Sequence, residues 1–360
     1  MIIKRIELEN YRNYEFLELD LSNSVNIFFG DNAQGKTNIL ESVYIACTTK
    51  SHKRSKDNEI IRFGCDESHI RLMLNKNEID YKIDMHLRRQ GRKFVAINSS
   101  PIKKASDLLG IVNIIFFSPE DLNIIKNGPQ ERRRFIDMEL CQLSRLYLDN
   151  IAKYNKCLVQ RNKLLKIQEF EKTSNVLETW DEQLVYYGKK VIEERKKFIE
   201  DINEIIRKIH FSLTGDSEKL EIIYENNVDS EYYKINLKNN LGKDIRFGST
   251  SVGPHRDDIG FILNGTDIRK YGSQGQQRTA ALSLKLSEIE MIKQKVNDCP
   301  ILLLDDVLSE LDENRQNYLF NSIGNIQTLI TCTGIEEFVK SRLNIDKAYS
   351  VKEGKVRIYK

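Results

Sequence analysis

A glycine-rich segment near the start of the chain has the composition and spacing of a phosphate-binding loop. The glycines permit a tight turn whose backbone N–H groups point at phosphate oxygens, and a helix N-terminus adds its positive dipole. In this pattern Lys36 reaches the β- and γ-phosphates and the Thr37 hydroxyl holds Mg²⁺. The sequence therefore predicts a nucleotide-binding site made of Gly30, Asp31, Asn32, Ala33, Gln34, Gly35, Lys36 and Thr37.

The chain on either side of this loop fits the same chemistry. Residues 24–29 are apolar and predict a buried strand, whereas residues 38–46 carry Leu40, Val43 and Tyr44 at helical spacing. A glycine-containing turn that matches the motif by accident would not need these flanks. The order of strand, loop and helix favours a genuine phosphate-binding loop.

Two adjacent carboxylates late in the chain are candidates for handling the metal and the attacking water. Asp305 and Asp306 follow the apolar run 301–304, which predicts a buried parallel strand ending in two acids. We expect Asp305 to coordinate Mg²⁺, directly or through water, and Asp306 to act with Lys36 in catalysis by polarising the attacking water. Related ATPases commonly have Glu at the position of Asp306. The shorter side chain predicts slow turnover.

A second anion-binding segment precedes the acidic strand. A small polar run at a helix start, with a serine cap and a glycine, is suited to hold another phosphate; its residues are Ser273, Gln274, Gly275, Gln276 and Gln277. An ordinary capped helix is the alternative interpretation. The succession of phosphate loop, this segment, acidic strand and Ser309-x-x-Asp312 instead predicts a signature that acts in trans, on the nucleotide of a second copy.

These motifs in this order resemble the ABC-type ATPase head, and the whole chain resembles the RecF family of bacterial DNA replication and repair proteins, related to SMC and Rad50 heads. Thr331 and Thr333 stand where transporter ATPases carry a switch histidine, whereas Asp306 in place of Glu is similar to RecF. The landmarks that carry the resemblance lie at 11–13, 118–121, 128–129, 132–137, 160–162, 180–181 and 253–258.

The predicted fold class is α/β, an ABC-type P-loop ATPase head with an inserted α-helical lobe. Apolar residues recur at helical spacing through 129–214, and strands return at 219–224 and 258–263. We therefore expect a discontinuous head, 1–128 with 215–360, around a lobe at 129–214. Heptads in the lobe are few and ragged at Gly188 and Arg195, which favours a compact pair or bundle over an extended coiled coil.

The resemblance to RecF implies an ATP-dependent homodimer that binds single-stranded or gapped duplex DNA. It also implies slow ATP hydrolysis as a switch, partners of the RecO and RecR type, and loading of recombinase at gaps in repair, replication restart and the response to DNA damage (the SOS response). Basic loops are the candidate DNA contacts, although solvated surface turns are an equally good interpretation of each. The predicted contacts are Lys53, Arg54, Arg89 and Arg92.

Composition sets the remaining limits. The net charge of +3 neither demands nor excludes nucleic acid, and apolar runs are too short to cross a membrane, so a cytoplasmic protein is expected. An ABC-type ATPase subunit that drives a protein or membrane partner without DNA is the alternative function, but transporter ATPases are shorter between the two phosphate-binding segments. A P-loop kinase or GTPase would leave Ser273 and its neighbours without a role.

Overall fold

The computed structural model describes residues 1–104, 107–167, 174–334 and 345–359. Two compact units are present. The first contains Met1–Asp121 with Ile292–Lys360, and the second contains Leu122–Met291. Each unit has its own hydrophobic core of buried aliphatic and aromatic side chains.

An antiparallel sheet forms one layer of the first unit, in the order β2-β1-β4-β5-β6-β7. Because successive side chains of a strand point to opposite faces, Leu17 and Leu19 lie in the core and Phe16 is exposed. The strands are β1 (Ile2–Tyr11), β2 (Tyr14–Asp20), β4 (Glu67–Lys76), β5 (Ile79–Arg88), β6 (Phe94–Ile97) and β7 (Ser100–Pro101).

A second, mainly parallel sheet carries the nucleotide motifs, in the order β15-β14-β3-β13-β12-β8. Strands β14, β3, β13, β12 and β8 run parallel, and β15 pairs antiparallel with β14. Every residue of β12 is buried, which is typical of a central parallel strand. The ranges are β3 (Val25–Phe29), β8 (Ile114–Phe117), β12 (Ile301–Asp305), β13 (Thr328–Cys332), β14 (Ile345–Lys352) and β15 (Lys355–Ile358).

Helix α1 (Lys36–Thr48) follows the phosphate loop and contacts strands of both sheets of the first unit. Because sheets cover it on both sides, eleven of its thirteen residues are buried, which explains the absence of a polar face. The short α2 (Asp57–Ile60) and α11 (Glu313–Ile323) complete the unit's main helices. The predicted strand before the loop and helix after it are confirmed.

The second unit is mainly helical. Two long helices of this unit, α5 (Arg145–Leu164) and α6 (Ser174–Leu213), pack antiparallel. Along α5, Tyr147, Tyr154 and Arg161 contact residues of α6 that are also spaced by seven but run in the opposite direction, namely Arg195, Gly188 and Asp181. A small antiparallel sheet, β11-β10-β9, completes it. The elements are α3 (Leu122–Lys126), α4 (Pro129–Leu143), α5 (Arg145–Leu164), α6 (Ser174–Leu213), β9 (Leu220–Glu225), α7 (Tyr233–Asn239), α8 (Leu241–Phe247), β10 (Asp258–Leu263), β11 (Thr266–Asp267), α9 (Ile268–Tyr271) and the part of α10 (Gln274–Val296) up to Met291.

The compact units do not coincide with the expected domain boundaries. Strand β9 contacts α6 and strand β10 contacts α4, so the strands that return after the helices share the helices' core. Assignment of 215–291 to an ATPase head, and of 129–214 alone to a lobe, stays a prediction. Among the described residues, no helix is both long and apolar enough to cross a membrane.

Candidate nucleotide-binding site

The two glycines of the phosphate loop occupy conformations that other residues would adopt only with strain. Gly30 has a φ of 151°, and a Cβ there would lie 2.2 Å from the carbonyl oxygen of Val351. Gly35 has a φ of 112°, and its Cβ would lie 2.4 Å from Asn13 Nδ2. Steric exclusion therefore explains why the pattern needs glycine at both positions.

Neighbouring loops brace the phosphate loop through its backbone and through Gln34. Asn13 Nδ2 donates to the Gln34 carbonyl at 3.0 Å, and the Tyr14 hydroxyl donates to the Gly35 carbonyl at 3.0 Å. The backbone N–H of Glu353 donates to Gln34 Oε1 at 2.6 Å. Sequence patterns do not reveal these supports, because Asn13 and Glu353 lie at opposite ends of the chain and meet the loop only through the sheet topology.

Lys36 is the one buried cation of the loop. Its side chain is 4% exposed and donates to the carbonyl oxygens of Gly30, at 2.7 Å, and Asp31, at 2.9 Å. The ammonium therefore lies over the turn in which it is expected to bind the phosphates. By contrast Asp31, Asn32 and Ala33 are exposed at the tip.

Asp305 lies at the carboxyl end of β12, beside the start of α1. Its Oδ1 accepts hydrogen bonds from the Thr37 hydroxyl at 2.7 Å and the Thr331 hydroxyl at 2.8 Å. Burial raises the pKa of Asp305 above its ordinary value, and the two threonine hydrogen bonds oppose that rise. The carboxyl ends of three parallel strands thus bring the predicted metal residues together, at the edge where open α/β sheets bind ligands.

Asp306 adopts the left-handed conformation, with a φ of 51°. Its backbone N–H donates to Thr331 Oγ1 at 3.0 Å, and Ser309 Oγ donates to its carbonyl oxygen at 2.9 Å. These two contacts hold the sharp turn that follows the buried strand. Thr331, at the position noted for a missing switch histidine, is therefore a structural member of the acidic site.

The predicted signature residues lie at the start of helix α10, where Ser273 and Gln276 cap each other. Gln276 N–H donates to Ser273 Oγ at 3.2 Å, and Ser273 N–H donates to Gln276 Oε1 at 3.0 Å. Ser273, Gln274 and Gly275 are exposed, whereas Gln277 is buried and donates to the Ile268 carbonyl at 2.7 Å. The first three are thus available to a ligand, and Gln277 supports the turn before them.

The segment that follows the acidic turn also has a structural role. Asp312 caps α11, because its side chain accepts from the Arg315 N–H at 2.9 Å, and it pairs with the Arg315 guanidinium. Ser309 is fixed to the acidic turn as described. Their role toward a second copy stays a prediction.

The predicted DNA contacts lie in two loops of the first unit, one between α1 and α2 and one between β5 and β6. Lys53, Arg54 and Arg92 are exposed, and Arg89 is exposed while its guanidinium donates to the Cys65 carbonyl at 2.9 Å. Lys93 links the two loops, since its ammonium donates to the Thr49 carbonyl at 2.6 Å and to Asp57.

A buried carboxylate on α1 fixes the first basic loop. Glu41, 1% exposed, accepts both Arg12 guanidinium bonds, at 2.9 and 3.0 Å, and the Ser51 hydroxyl at 2.6 Å. Burial opposes ionisation of Glu41, but these hydrogen bonds outweigh it and lower its pKa. The helix that starts at the phosphate loop is thereby joined to the basic segment after Thr49.

The phosphate loop, its buried lysine and the acidic end of β12 define the class of the protein: the chain is a P-loop protein. The family model "RecF/RecN/SMC N terminal domain" matches residues 2–357. A DNA replication and repair protein RecF of Agathobacter rectalis is 59% identical over 99% of both chains. The chain therefore belongs to the RecF family.

Solved structures agree in fold. A structure described as the recombination mediator protein RecF-ATP in the RecFOR pathway is 36% identical, with a TM-score of 0.93 over 100% of this chain and 98% of that one. An Smc head domain of Pyrococcus furiosus has a TM-score of 0.59 at 16% identity, covering 99% of this chain and 95% of that chain, which shows the fold alone. The expected α/β class with an ABC-type head is confirmed.

Proposed function

We propose that the protein is a DNA-binding ATPase that dimerises on ATP and closes on DNA at gaps during replication and repair. The contact between Thr37 and Asp305 is the observation that carries this proposal, because it joins the phosphate loop to the acidic strand end. The similarity to a RecF structure described with ATP supports ATP as the nucleotide.

The residues of this site fit Mg²⁺. Thr37 Oγ1 and Asp305 Oδ1 are hard oxygen donors 2.7 Å apart, and Mg²⁺ in phosphoryl-transfer sites is held by one or two such groups with water and phosphate. The ion would supply neutralisation of phosphate charge. Because burial raises the pKa of Asp305, its carboxylate gains from a cation at this position.

Lys36 and Asp306 have the two remaining roles, phosphate binding and activation of the attacking water. Lys36 binds the phosphates, moving from the loop carbonyls that it contacts at 2.7 and 2.9 Å. Asp306 orients the attacking water and accepts its proton. Its carboxylate is one methylene shorter than Glu, so alignment is less favourable and hydrolysis is slow, as suits a timing switch.

The signature completes the site of a second copy. Ser273, Gln274 and Gly275 are exposed at the start of a long helix and are therefore accessible to a ligand. We assign them the γ-phosphate held by the partner's phosphate loop, with Ser309 and Asp312 alongside. ATP then acts as a bridge between two chains, and its hydrolysis releases them.

DNA binding is assigned to the basic loops of the first unit. Lys53, Arg54, Arg89 and Arg92 are exposed, and lysines and arginines in loops contact phosphate without reading sequence. Dimerisation doubles the number of such loops. The RecFOR pathway named for the similar structure supports RecO- and RecR-type partners, and we place the protein in the cytoplasm.

Titration of fluorescent gapped, duplex and single-stranded DNA tests this function. With ATP the affinity should rise, fall with salt by about 0.9 log units per phosphate contact on duplex, and vary little with sequence. Lys53→Glu with Arg54→Glu should weaken DNA binding and leave ATP binding unchanged. Lys103→Glu with Lys104→Glu, at two other exposed lysines of the first unit, is the control. Absence of DNA binding by the parental protein under all conditions would favour an ATPase that drives another partner.

A further inference from the structure

A cationic cavity in the second unit lies outside every site described above. Its volume is about 460 Å³, within the range of pockets that hold small ligands, and an exposed phenylalanine forms part of its wall. Five residues line it: Lys243, Phe247, Ser249, Ser251 and Arg256. The lining thus combines two cations, two hydroxyls and one aromatic ring.

A buried ion pair holds the segment that forms this cavity. Arg161 and Asp244 are both fully buried and lie 2.7 Å apart. Arg161 also donates to Thr250 Oγ1 at 2.9 Å, and the Ser251 hydroxyl donates to Asp244 at 2.6 Å. Asn162 accepts from the Thr250 N–H at 2.8 Å. The cavity wall is therefore fixed before any ligand arrives.

The motif at 253–258 contributes one cavity residue and uses its other polar side chains for packing. Asp257 and Asp258 pair with arginines of α6 and α4, and His255 bonds Tyr154 at 2.6 Å. Arg256 is exposed, donates to the Thr250 carbonyl at 3.3 Å and lines the cavity. The motif thus contributes one cation, Arg256, to the cavity, and its other polar side chains anchor the motif to α4, α5 and α6.

Geometry on α8 suggests the ligand. Lys243 and Phe247 are four residues apart and so lie on one helix face, and the Phe247 ring is 65% exposed. An exposed ring beside lysine and arginine suits a base that stacks and a phosphate that pairs, the combination used for single strands. We propose that this cavity binds one nucleotide unit of single-stranded DNA, with the base on Phe247 and the phosphate between Lys243 and Arg256.

This assignment rests on the proposed function in that DNA is the ligand. The test is fluorescence anisotropy of a dT oligonucleotide of about 15 nucleotides with the full chain and ATP, repeated over a salt series. Phe247→Ala should weaken binding about 5- to 100-fold and leave the salt slope unchanged. Lys243→Gln and Arg256→Gln should each reduce the slope of log K against log salt by about 0.7.

Matched controls lie in the same unit, away from the cavity lining. Tyr232→Ala removes another exposed ring and Lys197→Gln another exposed cation, and both should bind as the parental chain does. A Phe247→Trp variant gives a direct readout, because a base stacked on the indole should quench its fluorescence. Quenching by oligonucleotide that is lost again with Arg256→Gln supports the site.

Different outcomes of these experiments distinguish a wrong cavity assignment from a wrong proposed function. If the parental chain binds oligonucleotide but all three cavity variants bind equally well with unchanged slopes, the cavity assignment is wrong and the proposed function stands. If the parental chain binds no DNA, the proposed function itself fails. If the variants lose affinity for a poly-glutamate peptide and keep it for the oligonucleotide, the cavity serves an acidic protein segment and the DNA assignment is overturned.

Discussion

The Thr37 hydroxyl donates a 2.7 Å hydrogen bond to Asp305 Oδ1, although 268 positions separate the two residues. Thr37 is the second residue of α1, and Asp305 ends the central strand β12. Register explains the contact, because β3 and β12 flank β13 in parallel and end at the same edge of the sheet. The proposed chemistry depends on this edge.

Lys36→Met should abolish productive ATP binding while the chain stays folded. The lysine is the buried cation of the loop, and losing a charge-assisted contact costs about 1.5–3 kcal/mol or more. Isothermal titration calorimetry with ATP measures the loss, and Lys50→Met, at an exposed lysine after α1, is the matched control. Parental affinity in Lys36→Met would remove this lysine from the site.

Asp306→Asn should retain ATP and stop its turnover. Asparagine tolerates the left-handed φ of 51°, so the turn should survive while the proton acceptor is lost. We expect hydrolysis to slow by about 10²- to 10⁴-fold, the usual contribution of a general base, and the ATP-bound dimer to accumulate. Phosphate release at the parental rate would show that another group orients the water.

His255 should make stability fall as the pH decreases from 6.5 toward 4. Burial lowers the pKa of His255 from 6.5 to about 4. Between these values the unfolded chain binds a proton that the folded chain does not, so the free energy of unfolding decreases with acid, by about 3 kcal/mol over the window.

Urea unfolding of the parental chain and of His255→Gln across this pH range measures how much His255 contributes to the pH dependence of the free energy of unfolding. The variant keeps a polar side chain at the site and lacks the titrating group, so its stability should change less with pH. Parallel curves for the two proteins would contradict the assignment of this pH dependence to His255.

Arg195→Met should destabilise the second unit strongly. Arg195 is 2% exposed and pairs with Asp257, which is 1% exposed, at 3.2 Å. Removing one partner of a buried pair leaves an uncompensated charge and costs about 3–5 kcal/mol. Lys196→Met changes the exposed neighbour and should shift stability by less than about 0.5 kcal/mol. Thermal unfolding of both variants decides between these expectations.

Sequence alone predicted the parts of the site that depend on local pattern. The phosphate loop, the buried strand before Asp305 and the capped start of α10 are each encoded within a few residues, so periodicity and glycine placement identify them. Bracing by Asn13 and Glu353 could not be found this way, because strand order alone brings those loops to Gln34.

Two residues that looked like breaks in the helical pattern have tertiary explanations. A Cβ at Gly188 would lie 2.4 Å from the ring of Tyr233, so the small residue makes room for tyrosines. Arg195 is buried by ion pairs from α4 and the 253–258 motif. Hydrophobic periodicity does not reveal a packed ring or an ion-pair partner from another element. The heptad pattern of the sequence therefore looks irregular at these two positions.

Light scattering of the chain with ATP tests the central claim, that ATP joins two copies through the signature. Ser273→Arg places a bulky cation where the partner's γ-phosphate is expected and removes a helix cap. Ser144→Arg removes the cap of α5 in the same way and serves as the control. We predict an ATP-dependent doubling of mass for the parental and Ser144→Arg chains, and monomers that still bind ATP for Ser273→Arg. A dimer of Ser273→Arg with ATP, as stable as the parental one, would contradict the account.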